Sequence, residues 1–337
     1  MAKIHFLNVD EGDCSIIQHD NGRATMIDIC CGNIVEQQPS VVTFSTENTI
    51  KGNFNMKAYP TNPVEYIKRW RISSIFRYIQ THPDMDHMDG LKNLANSKPI
   101  LNFWDTANTK EQSFDEHGNY GRYKKEDWDC YQLLRNSEDN PKSLTFYDGA
   151  TAKYFAEDDN GALSDDYLKI LSPTKELIKV AEAAGDWNDS SYVILYCIQG
   201  RKLLFCGDAG MGTISHLLKH HKDDISNLDV LIAPHHGRDS DKDFTFLDIM
   251  TPKLTLIGNA KCQHLAYDKW NSRGLKHIQN NQGGNILIDI HNNGEMHVSC
   301  SNKSFADAYN QEYFNKEEAP KDSKNPGYWC LFYYKTI

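Results

Sequence analysis

The hydrophobic and polar positions of the first eighty residues follow short-period patterns that predict strands. The runs KIHFLNV, CSIIQH and ATMIDI are apolar or alternate between apolar and polar positions, as strands with a buried face do. Asp20-Asn21-Gly22 separates the last two runs and is typical of a tight hairpin turn. Residues 63–70 predict a helix with Pro63 in its first turn, and residues 73–80 predict a strand that leads directly into THPDMDHMDG.

Regular patterning of the same kind returns after residue 190. The run SYVILYCIQGRKLLFCGD predicts a hairpin of two apolar strands about Gln199-Gly200. The segments that follow predict, in order, a helix at 212–220, a strand at 228–233, a helix and a strand over 243–258, a helix at 265–274 and a hairpin over 285–301. Strand clusters separated by helices predict an α/β or α+β fold with two sheets inside and helices outside.

The segment 98–170 is polar and irregular, and no repeat or linker divides the chain. We therefore expect a single domain over 1–337, in which 98–170 is an insertion covering one face and 301–337 is a C-terminal extension. The aromatic and basic side chains of the insertion either stack on nucleic-acid bases or pack as a cap on the fold. They are Trp104, Tyr120, Arg122, Tyr123, Lys124, Lys125, Trp128 and Tyr131. The run YWCLFYY near the C-terminus is either a buried strand or helix face, or a docking surface for a partner protein.

Composition narrows the classes of function. The chain has 36 Lys and Arg against 46 Asp and Glu, a net charge of −10, which disfavours binding of nucleic acid through a broad basic surface. A local basic groove or a metal site can still bind phosphate. No apolar run approaches the ~18 residues that a membrane span needs, and the N-terminus lacks a signal-peptide pattern. The nine cysteines are scattered, so we expect a cytoplasmic protein with reduced thiols and no membrane partner.

Three polar segments that follow predicted strands carry candidate chemistry. In His82-Pro83-Asp84-Met85-Asp86-His87, four possible metal ligands lie within six residues on a loop, which can point several side chains into one cleft. Cys206-Gly207-Asp208 places a carboxylate at the end of an apolar run, where a buried charge needs a partner. Pro234-His235-His236-Gly237 places two histidines at another strand end. Taken singly, the first segment could equally be a hydrogen-bonded loop, the second a plain turn and the third a pair of surface histidines. Together, the three segments predict a metal site.

These segments also carry a resemblance to a known family. FLNVDEGDCSIIQHDNGRATMIDICCG, THPDMDHMDG, NDSSYVILYCIQGRKLLFCGD and VLIAPHHG occur in the order expected of the metallo-β-lactamase fold, and they most resemble the hydrolase domain of the ComEC competence proteins. The resemblance covers about residues 3–35, 72–95 and 186–300 and is absent over the insertion. It implies an αββα sandwich with a dinuclear metal site at the edge between the two sheets.

The resemblance also implies roles for individual residues. One metal would be bound by His82 and Asp84 and the other by Asp86 and His87, with Asp208 between the two. Two divalent ions, Zn²⁺ or Mn²⁺ with Mg²⁺ also possible, would be the cofactors. Three ligand carboxylates against two such ions leave roughly +1, so a phosphodiester anion can approach.

The remaining site residues follow from the same family pattern. His236 aligns with the last ligand and His235 with a proton donor or phosphate contact, although the reverse order of the two histidines stays open. Asp28 aligns with an aspartate that orients ligands, and it is alternatively a loop-capping carboxylate. His264, in GNAKCQH, is a second candidate for protonating the leaving group, and Lys261 either contacts a substrate phosphate or is simply solvated.

Two departures from the family pattern bear on the choice of metal. Many members have His where this chain has Asp84, and the usual histidine ahead of the strand SYVILY is replaced by Asn188-Asp189-Ser190. Oxygen-rich ligation moves the preference from Zn²⁺ toward Mn²⁺ or Mg²⁺. Asn188 or Asp189 either completes the ligand shell or forms a turn before the strand.

Three functions are compatible with the predicted fold and metal site. The first is a metal-dependent phosphodiesterase or nuclease that cleaves DNA or RNA with metal-activated water, with Asp86, His235 and His264 as catalytic residues. The second is a hydrolase of a small phosphodiester or another ester, and the third is a non-catalytic nucleotide-binding sensor. For the first, we hypothesise an effector in antiphage defence that a regulatory protein partner switches on. The sequence leaves the oligomeric state open.

Overall fold

The computed structural model describes residues 1–37, 50, 52–157, 160–240 and 243–335, with the backbone alone at Cys262. Its strands are β1 (Ala2–Phe6), β2 (Ser15–Gln18), β3 (Ala24–Ile27), β4 (Ile75–Ile79), β5 (Ile100–Trp104), β6 (Asn119–Tyr120), β7 (Tyr123–Lys124), β8 (Lys142–Leu144), β9 (Asp166–Ser172), β10 (Val193–Ile198), β11 (Arg201–Phe205), β12 (Val230–Ile232), β13 (Leu254–Ile257), β14 (His277–Gln279), β15 (Ile286–Ile290), β16 (Met296–Cys300) and β17 (Trp329–Tyr334). Its α-helices are α1 (Pro63–Arg69), α2 (Leu91–Ser97), α3 (Lys125–Arg135), α4 (Lys175–Ala184), α5 (Met211–His220), α6 (Lys222–Ile225), α7 (Phe246–Met250), α8 (Tyr267–Asn271), α9 (Asn280–Gly283) and α10 (Lys303–Phe314). Short 3₁₀ helices cover Met56–Ala58, Met85–His87, Asn188–Ser190, Pro234–Gly237 and Cys262–His264.

Within the described residues, the larger sheet has nine strands in the order β17-β16-β15-β1-β2-β3-β4-β5-β8. Neighbours are antiparallel from β17 to β3 and parallel from β3 to β8. Alternation of side chains sets its two faces, since Ile17 of β2 packs toward the second sheet while Ile16 packs toward the outer helices. The strands predicted in the first eighty residues and the helix predicted at 63–70 are confirmed.

The smaller sheet has six described strands in the order β14-β13-β12-β11-β10-β9. Its pairs β9-β10 and β10-β11 are antiparallel, and the pairs from β11 to β14 are parallel. The predicted hairpin β10-β11 forms about Gln199 and Gly200, which both have positive φ (48° and 75°), as the tight turn between two twisted strands requires. Helices and strands predicted between 212 and 301 are present, with α8 shorter than the predicted 265–274.

The two sheets stack face to face, and helices cover both outer faces. Ile194 and Tyr196 of β10 belong to the apolar core between the sheets, together with Ile4 of β1. Val193 and Leu195 of the same strand point the other way into a second core. Helices α1, α2 and α3 pack on the outside of the nine-stranded sheet, and α5, α7 and α8 on the outside of the six-stranded sheet. The αββα sandwich expected from the sequence is confirmed.

The interpretation of all of 98–170 as an insertion that covers one face needs correction. Its β5 and β8 extend the nine-stranded sheet and its β9 forms an edge of the six-stranded sheet. β8 has only three residues, and polar residues interrupt β5 (Asn102) and β9 (Asp166 and Lys169), so their apolar pattern is weak in the sequence. Residues 158–159 of this segment lie outside the described residues. What covers the fold is the part from about 105 to 135, which includes β6, β7 and α3.

Burial distinguishes the two interpretations, base stacking and a cap, for three of the five aromatic residues of this segment. Trp104, Trp128 and Tyr131 are buried in the fold, as the cap interpretation expects, while Tyr120 is exposed and Tyr123 is half-buried. A buried ring has no free face for a base. Only Tyr120 and Tyr123 of the five retain any capacity to contact a ligand.

The C-terminal residues continue the nine-stranded sheet. β17, within the run YWCLFYY, pairs with β16, and Leu331 is buried while Tyr333 is exposed. A strand is therefore the correct interpretation of that run. Residues 336–337 of the predicted extension lie outside the described residues. None of the described helices combines the length and apolar character needed to cross a bilayer.

Candidate metal centre

Four polar segments follow the ends of strands that lie side by side. Asp28 follows β3 and the segment His82–His87 follows β4, its parallel neighbour. Asp208 follows β11 and Pro234–Gly237 follows β12, which are parallel neighbours in the other sheet. Because the carboxyl ends of parallel strands meet at one edge of a sheet, all four segments reach the same edge of the sandwich.

Two glycines allow these loops to approach closely. A Cβ atom on Gly207, whose φ is +50°, would lie 2.9 Å from Cβ and Oγ1 of Thr81, the residue before His82. A Cβ atom on Gly12, whose φ is +135°, would lie 2.2 Å from the carbonyl oxygen of Asp86. Larger residues at these positions would strain the backbone and push the loops apart.

Asp208 lies at the centre of the cluster, and its two oxygens face different histidines. Oδ1 is 3.2 Å from Nε2 of His87 and 3.4 Å from Nε2 of His236. Oδ2 is 3.4 Å from Nε2 of His235 and 3.9 Å from Nε2 of His82. The carboxylate therefore separates two groups of ligand atoms, as a group that bridges two cations would.

The three buried histidines are held in one orientation. Nδ1 of His87 is 2.7 Å from the Asp28 carboxylate, and Nδ1 of His236 is 3.0 Å from Oδ1 of Asp13. Nδ1 of His82 is 3.0 Å from Oγ1 of Thr81, whose hydroxyl donates to Asp28. Since each Nδ1–H has an acceptor, Nε2 is the ring atom that faces Asp208, and in the neutral imidazole it carries the free lone pair.

Buried atoms without a hydrogen-bond partner converge in this cluster. Among the described residues they are His82 Nε2, His87 Nε2, His236 Nε2 and Asp208 Oδ1. An unpaired buried polar atom costs about 1–3 kcal/mol, so several in one place indicate a ligand that is not part of the protein. Imidazole nitrogen and carboxylate oxygen are ligands of Zn²⁺ and Mn²⁺. The residues therefore fit a divalent cation.

Asp86 and Asp84 lie on the open side. Asp86 forms a group with His87, Asp208 and His236 in which the ligand atoms are all within 4.8 Å of one another. Oδ2 of Asp84 is 3.7 Å from Nε2 of His82, and its Oδ1 accepts a hydrogen bond from Nζ of Lys110 at 2.5 Å. Asp84 and Asp86 keep about a third of their side-chain surface exposed (33% and 28%), so solvent and a substrate can reach them.

The pKa shifts in the cluster follow from burial and from the charges of neighbouring side chains. Burial, the largest influence, lowers the pKa of His82 to about 3, so this ring is neutral. Burial also acts to lower the pKa of His236, but the carboxylates of Asp208 and Asp13 outweigh it and raise that pKa to about 10. Burial acts to raise the pKa of Asp208, yet the neighbouring histidines hold it well below its usual range. Cations on the Nε2 atoms would compete with these protons and neutralise the same carboxylates.

The two adjacent histidines, whose order is open in the sequence, occupy different positions in the cluster. Nε2 of His236 is 4.0 Å from Oδ2 of Asp86, and its ring is nearly buried. His235 is half-buried, and its ring contacts Ser240, Arg238 and Asp208. Both residues have positive φ (53° and 54°), a strained conformation that turns both rings toward Asp208. This arrangement groups His236 with the ligands and leaves His235 beside the open side.

The structure separates Asp189 from the cluster. Its Oδ1 accepts from the backbone N–H of Thr213 at 2.7 Å and its Oδ2 from that of Gly212 at 3.1 Å, so it satisfies the first turn of α5. Asn188 is in the same 3₁₀ turn, and its N–H donates to Asp186. The interpretation of this segment as a turn fits these contacts, and completion of the ligand shell by Asp189 does not.

His264 and Lys261 also lie apart from the ligand atoms. The backbone carbonyl of His264 accepts from Asp239, and its ring contacts Gln263. This places the His264 segment beside the loop that carries His235, without a described contact to Asp208. Lys261 is exposed. Their predicted roles toward a substrate stay predictions.

Sequence reasoning missed several residues that complete the site. Asp13 accepts from His236 across 223 positions, and Lys110 reaches Asp84 from the covering segment. Arg122, named above among the basic residues of the insertion, pairs with Asp10, which lies in the loop before Asp13. The carboxylate-rich segment DEGD could have indicated Asp13 as a site residue. No pattern in the polar covering segment distinguishes Lys110 from the other lysines.

Replacing Asp28 with asparagine is expected to weaken the affinity for divalent cations about 10–100-fold, because Asp28 positions the rings of His87 and, through Thr81, of His82. Titration with Mn²⁺ measures the change. Asp289→Asn is a matched control, since Asp289 is equally buried but pairs with Lys3 and Asn325. Equal affinities of the Asp28→Asn protein and the control would contradict the positioning role.

Comparison with known proteins gives distant similarities. No family model matches the chain, and no curated protein matches it. Among solved structures it is similar to CmlA, a diiron β-hydroxylase from Streptomyces venezuelae, at 10% identity with a TM-score of 0.42, covering 82% of this chain and 52% of that chain. It is similar to a diphosphatase of the PhnP family at 10% identity (TM-score 0.41, 82% and 94% covered) and to the metallo-β-lactamase SMB-1 at 12% identity (TM-score 0.35, 70% and 79% covered). This chain spans about half the length of CmlA.

Proposed function

We propose that this chain is a metal-dependent hydrolase of phosphodiesters, with DNA or RNA as its substrate class. The observation that carries the proposal is the ring of unpartnered Nε2 atoms around both oxygens of Asp208. On one side of Asp208, His82 and Asp84 would hold one cation. On the other side, Asp86, His87 and His236 would hold the second.

The chain's own groups supply the rest of the chemistry. When bound, a pair of divalent cations lowers the pKa of a water molecule and neutralises charge that develops on a phosphoryl oxygen. His235 lies at the open side, 3.4 Å from Asp208, and is placed to give a proton to the leaving oxygen. Asp28 and Asp13 keep the buried imidazoles in the tautomer that leaves Nε2 free.

Charge at the entrance supports an anionic substrate. Lys110 on the covering segment lies at Asp84, and Tyr123 of the same segment lies close enough to Asp86 that burial and this carboxylate raise the pKa of its phenol. A phosphate would meet an ammonium group and two divalent cations within the same opening. The resemblance to the ComEC hydrolase domain in the strand-end motifs supports nucleic acid as the source of that phosphate.

A second candidate, hydrolysis of a small phosphodiester, is favoured by a different observation. Arg122 is paired with Asp10, and Lys57 lies 3.8 Å from Asp10 and 3.6 Å from Glu11. These basic groups beside the entrance are therefore largely neutralised, and the whole chain carries −10. A long polyanion gains less from such a surface than a substrate that fits within the opening.

One experiment separates the two candidates. The purified protein is supplied with Mn²⁺, Mg²⁺ or Zn²⁺ singly and offered plasmid, single-stranded DNA, RNA and bis-p-nitrophenyl phosphate. We expect cleavage of a polymer that Asp86→Ala abolishes and that Asp129→Ala, at an exposed acid paired with Lys125, leaves intact. Turnover of the small diester with the polymers untouched would favour the second candidate. Full cation occupancy without turnover of any substrate would contradict both.

A further inference from the structure

Asp148, His216 and His221 form a second group of metal-ligand side chains, and none of them belongs to the Asp208 cluster. Asp148 lies between β8 and β9, His216 is on α5, and His221 directly follows that helix. Oδ2 of Asp148 is 3.0 Å from Nε2 of His216, and Oδ1 is 2.8 Å from Nε2 of His221. The three ligand atoms lie within 4.8 Å of one another. One carboxylate therefore faces two imidazoles from a different part of the chain.

Two atoms of this group are buried without a hydrogen-bond partner in the described structure. They are Oδ1 of Asp148 and Nε2 of His221. The two atoms are 2.8 Å apart, the distance of an ion pair with protonated His221, but their geometry is not that of a hydrogen bond. Two ligands of one cation lie about this far apart, so a cation bound to both atoms would satisfy both.

The surroundings of His221 are those of a metal ligand. Its Nδ1 is 3.1 Å from Oδ2 of Asp224, which leaves Nε2 as the free lone pair. Asp224 is in turn held by Nζ of Lys169 on β9, at 2.7 Å and 2.8 Å from its two oxygens. A carboxylate behind a ligating histidine fixes the orientation of the ring and raises its basicity.

We propose that Asp148, His216 and His221 bind a Zn²⁺ ion. Two imidazole nitrogens and one carboxylate oxygen favour Zn²⁺ over Mg²⁺ or Mn²⁺. The side chains of Asp148, His216 and His221 keep 12–21% of their surface exposed, so solvent can supply the fourth ligand. The ion joins the segment before β9 to the C-terminal end of α5, the helix that begins three residues after Asp208. Its role is to stabilise this part of the sandwich, independently of any hydrolysis at the Asp208 cluster.

The test measures zinc binding in protein whose central cluster is disabled by Asp208→Asn. The full chain is stripped with a chelator and titrated with Zn²⁺ against a chromogenic competitor, and its thermal unfolding is followed with and without Zn²⁺. We expect one zinc equivalent that His221→Ala removes, and an unfolding constant that falls about 100-fold when free Zn²⁺ is about 100 times Kd. His220→Ala, at the exposed adjacent histidine, is the matched control and should retain both effects.

Two results would overturn the proposal. The first is that adding His221→Ala to the Asp208→Asn protein changes neither the number of zinc ions bound nor the stabilisation by zinc. The other is a loss of stability in His221→Ala that does not depend on Zn²⁺, as expected of an Asp–His hydrogen-bonded cluster alone. If His221→Ala fails to fold, Asp148→Asn removes the ligand charge with little change in shape, and the same titration decides.

Discussion

Asp208→Asn is expected to lower kcat/KM for phosphodiester hydrolysis by about 1000-fold or more, since several kcal/mol of charge stabilisation disappear. One oxygen of Asp208 faces His87 and His236 and the other faces His82 and His235. The amide removes the negative charge and replaces one ligand oxygen with a nitrogen that carries hydrogens. The measurements are steady-state turnover of bis-p-nitrophenyl phosphate with Mn²⁺, and cation content by elemental analysis.

Asp189→Asn is the matched control for this substitution. Asp189 is a nearby carboxylate, but it accepts hydrogen bonds from the first turn of α5, and asparagine keeps one acceptor oxygen for that turn. We expect activity within about 2-fold of the parent, as for substitutions outside the reacting groups. Comparable losses of activity in the two variants would mean that the Asp208 effect is structural and not due to lost ligation.

Removing the cations is expected to lower the free energy of unfolding by about 4 kcal/mol relative to protein in Mn²⁺ at about 1000 times Kd. The cause is the concentration of carboxylates around imidazole Nε2 atoms, which the unfolded chain does not maintain. Urea unfolding of chelator-treated and Mn²⁺-loaded protein, followed by tryptophan fluorescence, measures the difference.

Asp208→Asn again provides the control for cation removal. Without its central carboxylate the cluster binds Mn²⁺ weakly, so the difference between chelated and Mn²⁺-loaded protein should shrink. Equal unfolding midpoints of the parent protein with and without Mn²⁺ would contradict the view that the cluster is built around cations.

The sequence predicts the parts of the site that follow apolar strands. Polar residues directly after a strand, as in His82–His87 and at Asp208, are positioned by the strand itself, so a local pattern is sufficient to locate them. The sequence locates the two adjacent histidines but does not indicate which of them is the ligand. Their ring directions depend on the positive φ values of His235 and His236. Nothing in the letters Pro-His-His-Gly specifies that conformation.

Other parts depend on contacts that no local pattern encodes. The hydrogen bond from His236 to Asp13 joins the two sheets, and the contact from Lys110 to Asp84 depends on how an irregular segment folds back. The sequence does not reveal β8 because it has only three residues, and Asp166 and Lys169 interrupt the apolar pattern of β9. Asp189 had the composition of a ligand, but the exposed N–H groups of α5 lie next to it and bind it instead.

The most direct test of the central claim is an anomalous-scattering map from crystals of the Mn²⁺-loaded protein. Our account predicts two peaks about 3.5–4 Å apart, one beside His82 and Asp84 and the other beside Asp86, His87 and His236, with the Asp208 carboxylate between them. A single peak, or peaks remote from Asp208, would contradict it.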